Sequence, residues 1–267
     1  MDLGLDGKRA LVTGSNRGTG SHIARALARE GAVVFVHGNA EGDQERIASE
    51  IVAAGGRAHA VTGDVTTDDG ARAVVARVTE LASGLDVLVN NFGQASGGTW
   101  DSAEPADWIR AYEVNTLSAV RMIRAFTGGM KARAFGRIIQ LSTIGTDRPN
   151  SRMPQYYAAK GALANLTVSL ARELAGTGVT VNTVSPGLIH TPETEAHFRH
   201  LAEKRGWGTD WSEIEAKGVK ELTGSRTLRM AKPEEVADLV VFLASERAAY
   251  LHGSNFRVDG GATETVQ

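Results

Sequence analysis

The segment Gln155-Tyr156-Tyr157-Ala158-Ala159-Lys160 places a phenol and an amine four residues apart. On a helix Tyr156 and Lys160 share one face as i,i+4 neighbours, and Tyr157, three residues before Lys160, satisfies helical spacing as well. A free phenol ionises near pH ~10, so proton transfer near neutrality requires the phenolate to be stabilised by ~4 kcal/mol. An ammonium within ~4–6 Å supplies part of that. Further positive charge, such as an oxidised nicotinamide, must supply the rest. Tyr and Lys one turn apart are common, so the pair gains meaning only from its surroundings.

A second chemical signal lies near the N-terminus, where Thr13-Gly14-Ser15-Asn16-Arg17-Gly18-Thr19-Gly20 joins an apolar run to a helical pattern. A strand, a glycine-rich turn and a helix start bring backbone N–H groups to a phosphate at the positive helix end. Missing Cβ atoms at 14, 18 and 20 permit the tight turn and close approach of a pyrophosphate. NAD enzymes place an acid at the end of the second strand to hold the ribose 2′-OH. Here that place reads His37-Gly38-Asn39, and Glu41 and Asp43 suit the first turn of the following helix. Arg17, inside the turn, could pair with a 2′-phosphate. NADP(H) is therefore the expected cofactor, with NAD(H) as the second choice.

The elements that must position these groups are legible as alternating periods. Short apolar runs at Arg9–Val12, Val33–His37, Ala58–Val61, Asp86–Asn90, Arg137–Leu141, Thr180–Val184 and Phe256–Val258 read as strands. Helical patterns separate them, among them 18–30, 106–130, 154–175 and 233–244. Strand–helix alternation predicts an α/β fold, a Rossmann-like doubly wound parallel sheet of seven strands with helices on both faces. No composition break marks a linker, so one domain over 1–267 is expected. Residues 188–230 break the rhythm and read as a substrate lid.

Composition excludes other classes. With 42% hydrophobic and 22% charged residues the chain can bury a core. The net charge of −2, with both signs interspersed, offers no field for nucleic acid. Absence of cysteine excludes thiolate chemistry and zinc fingers, and the seven His residues lack close ligand spacing, so no metal is expected. No apolar stretch reaches membrane length and no secretory signal opens the chain, so a cytoplasmic protein without membrane contact is expected.

These motifs in this order resemble the short-chain dehydrogenase/reductase family, in its single-domain, 3-oxoacyl reductase-like branch. The resemblance runs nearly end to end: Thr13-Gly14-x-x-x-Gly18-x-Gly20, Asp64, Asn90-Asn91-Phe92-Gly93, Asn115, Ser142-Thr143, Tyr156-x-x-x-Lys160, Pro186-Gly187 with Thr191, and Asp259-Gly260-Gly261. It implies interconversion of a ketone and a secondary alcohol by hydride transfer, with Tyr156 as general acid/base. Lys160 would hold the nicotinamide ribose and lower the Tyr pKa, and Asn115 would anchor a relay water. Asp64 and Val65 would meet the adenine, Asn91, Phe92 and Gly93 the ribose, and Pro186, Gly187, Ile189 and Thr191 the nicotinamide end. A Ser is usual thirteen residues before the Tyr; that count falls on Thr143, and Ser142 lies one residue earlier, so both remain candidates for the substrate-orienting hydroxyl. Phe92 departs from the family's alanine. The three-residue gap between Tyr156 and Lys160 differs from the six-residue gap of enoyl reductases.

The partner implied is a small ketone or alcohol, with residues 94–99, 144–153 and 188–230 lining its pocket. Met153, Phe198, Trp207 and Trp211 would form an apolar wall, and His190, His197 and His200 stand near the lid. The family implies a homotetramer or homodimer. The reading from another class is a dinucleotide-binding regulator that kept the fold without turnover.

Overall fold

The β-branched runs become seven parallel strands: β1 (Arg9–Val12), β2 (Val33–Gly38), β3 (Arg57–Thr62), β4 (Val87–Asn90), β5 (Gly136–Leu141), β6 (Val179–Pro186) and β7 (Asn255–Val258). They are ordered β3-β2-β1-β4-β5-β6-β7 in one sheet, in a computed structural model that describes residues 2–265. Met1, Val266 and Gln267 of the expected domain lie outside the described residues. Side chains alternate between the faces: Leu11 sits between Phe35 and Leu88, while its neighbour Val12 points to the opposite face with Val36 and Val89. Both faces are covered, which is why the strands read as continuous apolar runs.

One face packs on α1 (Gly18–Arg29), α2 (Asp43–Ala53) and α9 (Pro233–Ala244), through Ile23, Leu27, Ile47 and Val240. The other packs on α3 (Asp68–Leu81), α5 (Ser118–Ala132) and α6 (Pro154–Glu173), through Val74, Val78, Met122 and Ala171. Thr67 caps α3 by accepting from the Gly70 N–H, and Pro154 occupies the first turn of α6, where its missing N–H is harmless. The strand order reverses between β1 and β4, which opens a crevice at the strands' carboxyl ends.

The run expected as one helix over 106–130 is interrupted. α4 (Pro105–Tyr112) passes into a π-helical turn at Glu113–Leu117 before α5 begins. Asn115 lies in that turn, and its Nδ2 donates to the Ala111 and Gln94 carbonyls, both at 3.0 Å. A side chain bonding the preceding turn's carbonyl accompanies the local widening.

The irregular segment is a folded unit. α7 (Pro192–Arg205) and α8 (Trp211–Leu222) enclose a small core of Phe198, Ala202, Trp207, Ile214, Val219 and Met230. Thr191 and Asp210 cap the two helices. Among the described residues no helix is long and apolar enough to cross a membrane.

Candidate active site

The glycine turn is stitched to two neighbouring strands. The Ser15 N–H donates to the His37 carbonyl, the His37 N–H donates to Ser15 Oγ, and the Gly14 N–H donates to His37 Nδ1 at 3.0 Å. The other ring nitrogen of His37 lies 2.8 Å from the Gly63 carbonyl, so the ring bridges the turn and the end of β3. A ring that accepts on Nδ1 and donates from Nε2 is neutral, and burial pushes its pKa down to about 4. His37, expected at the cofactor, is thus a fully buried brace whose nitrogens are both engaged. Asn91 Nδ2 donates to the Thr13 and Gly14 carbonyls at 3.0 Å, and the Phe92 N–H donates to Thr13 Oγ1. A Cβ on Gly20 would overlap the Gly14 carbonyl and Asn91, so that position requires glycine.

A cleft of about 420 Å³ opens beside this turn, lined by Gly14, Asn16, Arg17, Asn39, Asn91 and Gly93 among others. Asp64 Oδ1 accepts from Asn39 Nδ2, the Thr66 N–H and Thr66 Oγ1. Asn39 Oδ1 is buried without a hydrogen-bond partner among the described residues. Backbone donors at the turn and a guanidinium at the cleft fit a dinucleotide with a phosphorylated ribose. Glu41 and Asp43 line the cleft too, and Asp43 is paired with Arg46 at 3.1 Å. Gly18 and Thr19 open α1, Gly38 ends β2, and Val65 is fully buried in the core behind the cleft.

The first turns of α6 carry Tyr156 and Lys160 beside the end of β5. Lys160 Nζ donates to the Leu141 carbonyl at 2.8 Å, and a Cβ on Gly93 would meet both that nitrogen and Asn115 Oδ1 at 2.7 Å. Asn115, Lys160 and the Gly93 loop therefore converge. Burial pushes the Lys160 amine down to about 8. The Tyr156 phenol is pushed up to about 12, by burial first and then by Tyr157. This differs from the expectation that Lys160 lowers the phenol. In the protein alone, desolvation disfavours the charged form of each group.

The two candidate hydroxyls are separated clearly. Ser142 is buried, and its Oγ donates to the Lys160 carbonyl at 2.8 Å and bonds Thr146 Oγ1 at 2.7 Å. Thr143 follows in extended backbone and lines an open cavity of about 570 Å³. Tyr157, Met153, Gly187, His197, Phe198 and Leu201 share this cavity. The expected aromatic wall is thus only partly realised. Trp207 is buried in the small core between α7 and α8, and Trp211 stacks on His190 at 5.2 Å. Among the expected histidines only His197 reaches the cavity, and no residue of 94–99 lines it. That segment is instead anchored by Gln155, whose Nε2 donates to the Gly97 carbonyl at 2.8 Å.

Pro186 ends β6, and the Gly187 N–H donates to the Val258 carbonyl at 2.9 Å. Ile189 bridges to Ala231 in a parallel pairing, so it helps root the α7–α8 unit. Thr191 caps α7 and borders a separate hollow shared with His22, His190 and Glu195. Sequence reasoning missed Arg148, which donates to the Thr223 and Ala262 carbonyls and so ties the loop after β5 to the lid and the C-terminal segment. It also missed Asn150, bonded to the Tyr157 hydroxyl at 3.0 Å. Both lie in an irregular loop without periodicity to reveal them.

Comparison with known proteins agrees with this architecture. A family model described as enoyl-(acyl carrier protein) reductase matches residues 14–263. The chain is 35% identical over 266 residues to an uncharacterized oxidoreductase of Bacillus subtilis, covering 100% of both chains. It is 35% identical to the 3-oxoacyl-[acyl-carrier-protein] reductase of Vibrio cholerae over 97% of this chain and 98% of that one. Among solved structures, L-sorbose reductase from Gluconobacter frateurii, complexed with NADPH and L-sorbose, superposes with a TM-score of 0.92 at 36% identity over 100% of both chains. The chain belongs to the short-chain dehydrogenase/reductase family of oxidoreductases.

Proposed function

We propose that the protein reduces a ketone to a secondary alcohol with NADPH, and runs the reverse oxidation with NADP⁺. The carrying observation is that Lys160 and Asn115 converge on Gly93, which lines the glycine-turn cleft, with Tyr156 one helical turn before Lys160 and Thr143 lining the neighbouring cavity. The residues of the glycine-turn cleft would hold NADPH, which when bound would supply the hydride for the carbonyl carbon. Tyr156 donates its proton to the carbonyl oxygen as charge develops there. The Thr143 hydroxyl orients that oxygen, while Ser142 fixes the α6 turn behind it. Lys160 binds the nicotinamide ribose, and its positive charge lowers the barrier to phenolate formation when the site is filled. Asn115 holds the Gly93–Gln94 loop through its bonds to Gln94 and shapes the relay side of the pocket.

The preference for NADPH is supported by Arg17 in the cleft and by the NADPH complex of the sorbose reductase. Asp64, with Oδ2 outside its three bonds, suits an adenine amino group. NAD(H) is the second cofactor. Reduction of a C=C bond, as the family model's description names, is disfavoured by the three residues between Tyr156 and Lys160. Assembly into a homotetramer or homodimer, in the cytoplasm, completes the reading. The α4 face exposes Ile109 at 71% and Tyr112 at 43%, with Trp100 at 69% just before it, an apolar surface suited to a second copy.

The test is loss of reduced-nicotinamide absorbance with a panel of ketones. Tyr156→Phe is expected to lower kcat by about 10²–10⁴-fold without loss of NADPH binding. Equal turnover by the variant, or tight NADPH binding with no turnover of any ketone by the wild type, would overturn the proposal.

A further inference from the structure

Tyr157 differs from its neighbour in what it faces. Its ring lies 5.5 Å from that of Tyr156, tilted by 54°, yet Tyr157 lines the open cavity whereas Tyr156 does not. Two contacts hold the Tyr157 ring. Gly145 lies against it so closely that a Cβ at 145 would overlap the ring. Asn150 Nδ2 donates to the phenol oxygen at 3.0 Å, and the amide is oriented because its Oδ1 accepts from the Arg152 N–H at 2.8 Å. The phenol oxygen is thus an acceptor toward Asn150, and among the described residues nothing accepts the phenol's own proton. A donor held in place at a cavity wall calls for an acceptor on whatever fills the cavity.

The charges on the same cavity agree. Arg148, Arg152 and Arg205 line it against a single carboxylate, Glu221, which is paired with Arg205. Arg148 donates to two backbone carbonyls. Arg152 has no carboxylate partner among the described residues. Oxygen-rich or anionic groups are favoured in such a cavity over bare hydrocarbon.

We propose that Tyr157 is a specificity-determining residue, its phenol donating a hydrogen bond to a second oxygen of the substrate, so that ketones bearing a hydroxyl or carboxylate are preferred over plain alkyl ketones. This rests on the ketone-reducing function proposed above. It gives the two adjacent phenols separate tasks: Tyr156 exchanges the proton, and Tyr157 reads a group beyond the reacting carbonyl. Gly145 is required because only glycine leaves room for the second ring.

The experiment compares kcat/KM for three ketones of matched chain length, one alkyl, one hydroxylated and one carrying a carboxylate. The wild type is expected to prefer at least one oxygen-bearing ketone, and Tyr157→Phe to reduce that preference about tenfold, chiefly through KM. Gly145→Ala, which displaces the ring while keeping the hydroxyl, is expected to reduce it too. Arg152→Gln separates the two sources, lowering the preference for the carboxylate ketone alone if the acceptor is anionic. NADPH affinity, measured in parallel, reports whether each variant is folded. A preference unchanged in both Tyr157→Phe and Gly145→Ala, or a uniform loss on all three ketones, would overturn this assignment and leave ketone reduction standing. Absence of NADPH turnover by the wild type on all three would remove both.

Discussion

The Ser142 hydroxyl donates to the backbone carbonyl of Lys160 at 2.8 Å, tying the end of β5 to the turn of α6 that carries the buried amine. The adjacent Thr143 faces the cavity instead. Consecutive residues with similar side chains therefore stand in different surroundings. Thr143→Ala is expected to lower kcat by about 10²-fold with little change in stability, since an orienting hydrogen bond matters most as charge develops. Ser142→Ala removes a buried hydroxyl bonded to two partners and is expected to cost about 1–3 kcal/mol in urea unfolding, with the smaller kinetic loss. The reverse ranking would exchange the two roles.

His37 provides a pH test of the fold. Its folded pKa of about 4 lies below the ordinary 6.5, so the unfolded chain takes up the proton first. Stability from this residue is complete above pH 6.5 and falls as the pH drops toward 4, by about 3 kcal/mol in all. Urea midpoints measured across that window should fall, and His37→Gln should flatten the slope while lowering stability at neutral pH. NADPH affinity should fall as well, because His37 accepts from the Gly14 N–H.

Lys160 opposes stability to activity. Its folded pKa of about 8 lies below the ordinary 10.5, so folding disfavours the charged form. Native stability is lowest below pH 8 and rises as the pH climbs toward 10.5. Lys160→Met should stabilise the protein at pH 7 by on the order of 1–3 kcal/mol while abolishing turnover. Thermal unfolding and kinetics of the same preparation check both halves.

Gly218 tests the lid. A Cβ there would stand 2.5 Å from the Phe198 ring and 3.0 Å from Trp207. Gly218→Ala should overpack the lid core by about 1–3 kcal/mol. Limited proteolysis should then cut first within 188–230, and KM for the ketone should rise before the affinity for NADPH changes.

The parts of this molecule legible in sequence are those governed by a period or by glycine geometry. The sheet strands were readable because burial on both faces demands continuous apolar runs, Gly14 and Gly18 because the turn takes positive φ there, and Gly20 because a Cβ would overlap the Gly14 carbonyl and Asn91. Tyr156 and Lys160 were readable from helical spacing combined with the other motifs. The direction of single side chains was not. His37 stood at the strand end where a ribose contact is expected, yet its ring turns inward to bridge two backbone segments. Spacing could not separate Ser142 from Thr143, because which of the two points at α6 depends on a bond to Lys160 eighteen residues later. Arg148, Asn150 and Gly145 act from an irregular loop, and their partners come from the lid, the C-terminal segment and α6.

The small core shared by α7 and α8 has a dynamic consequence. Phe198 and Ala202 on the first helix, and Ile214 and Val219 on the second, bury one another together with Trp207 in the link between them, so neither helix can peel away without exposing the other's apolar side. The lid should open as one cooperative piece. Hydrogen exchange should show its amides released at a common rate, faster than the sheet beneath, so the pocket's doorway swings on its roots rather than unravelling.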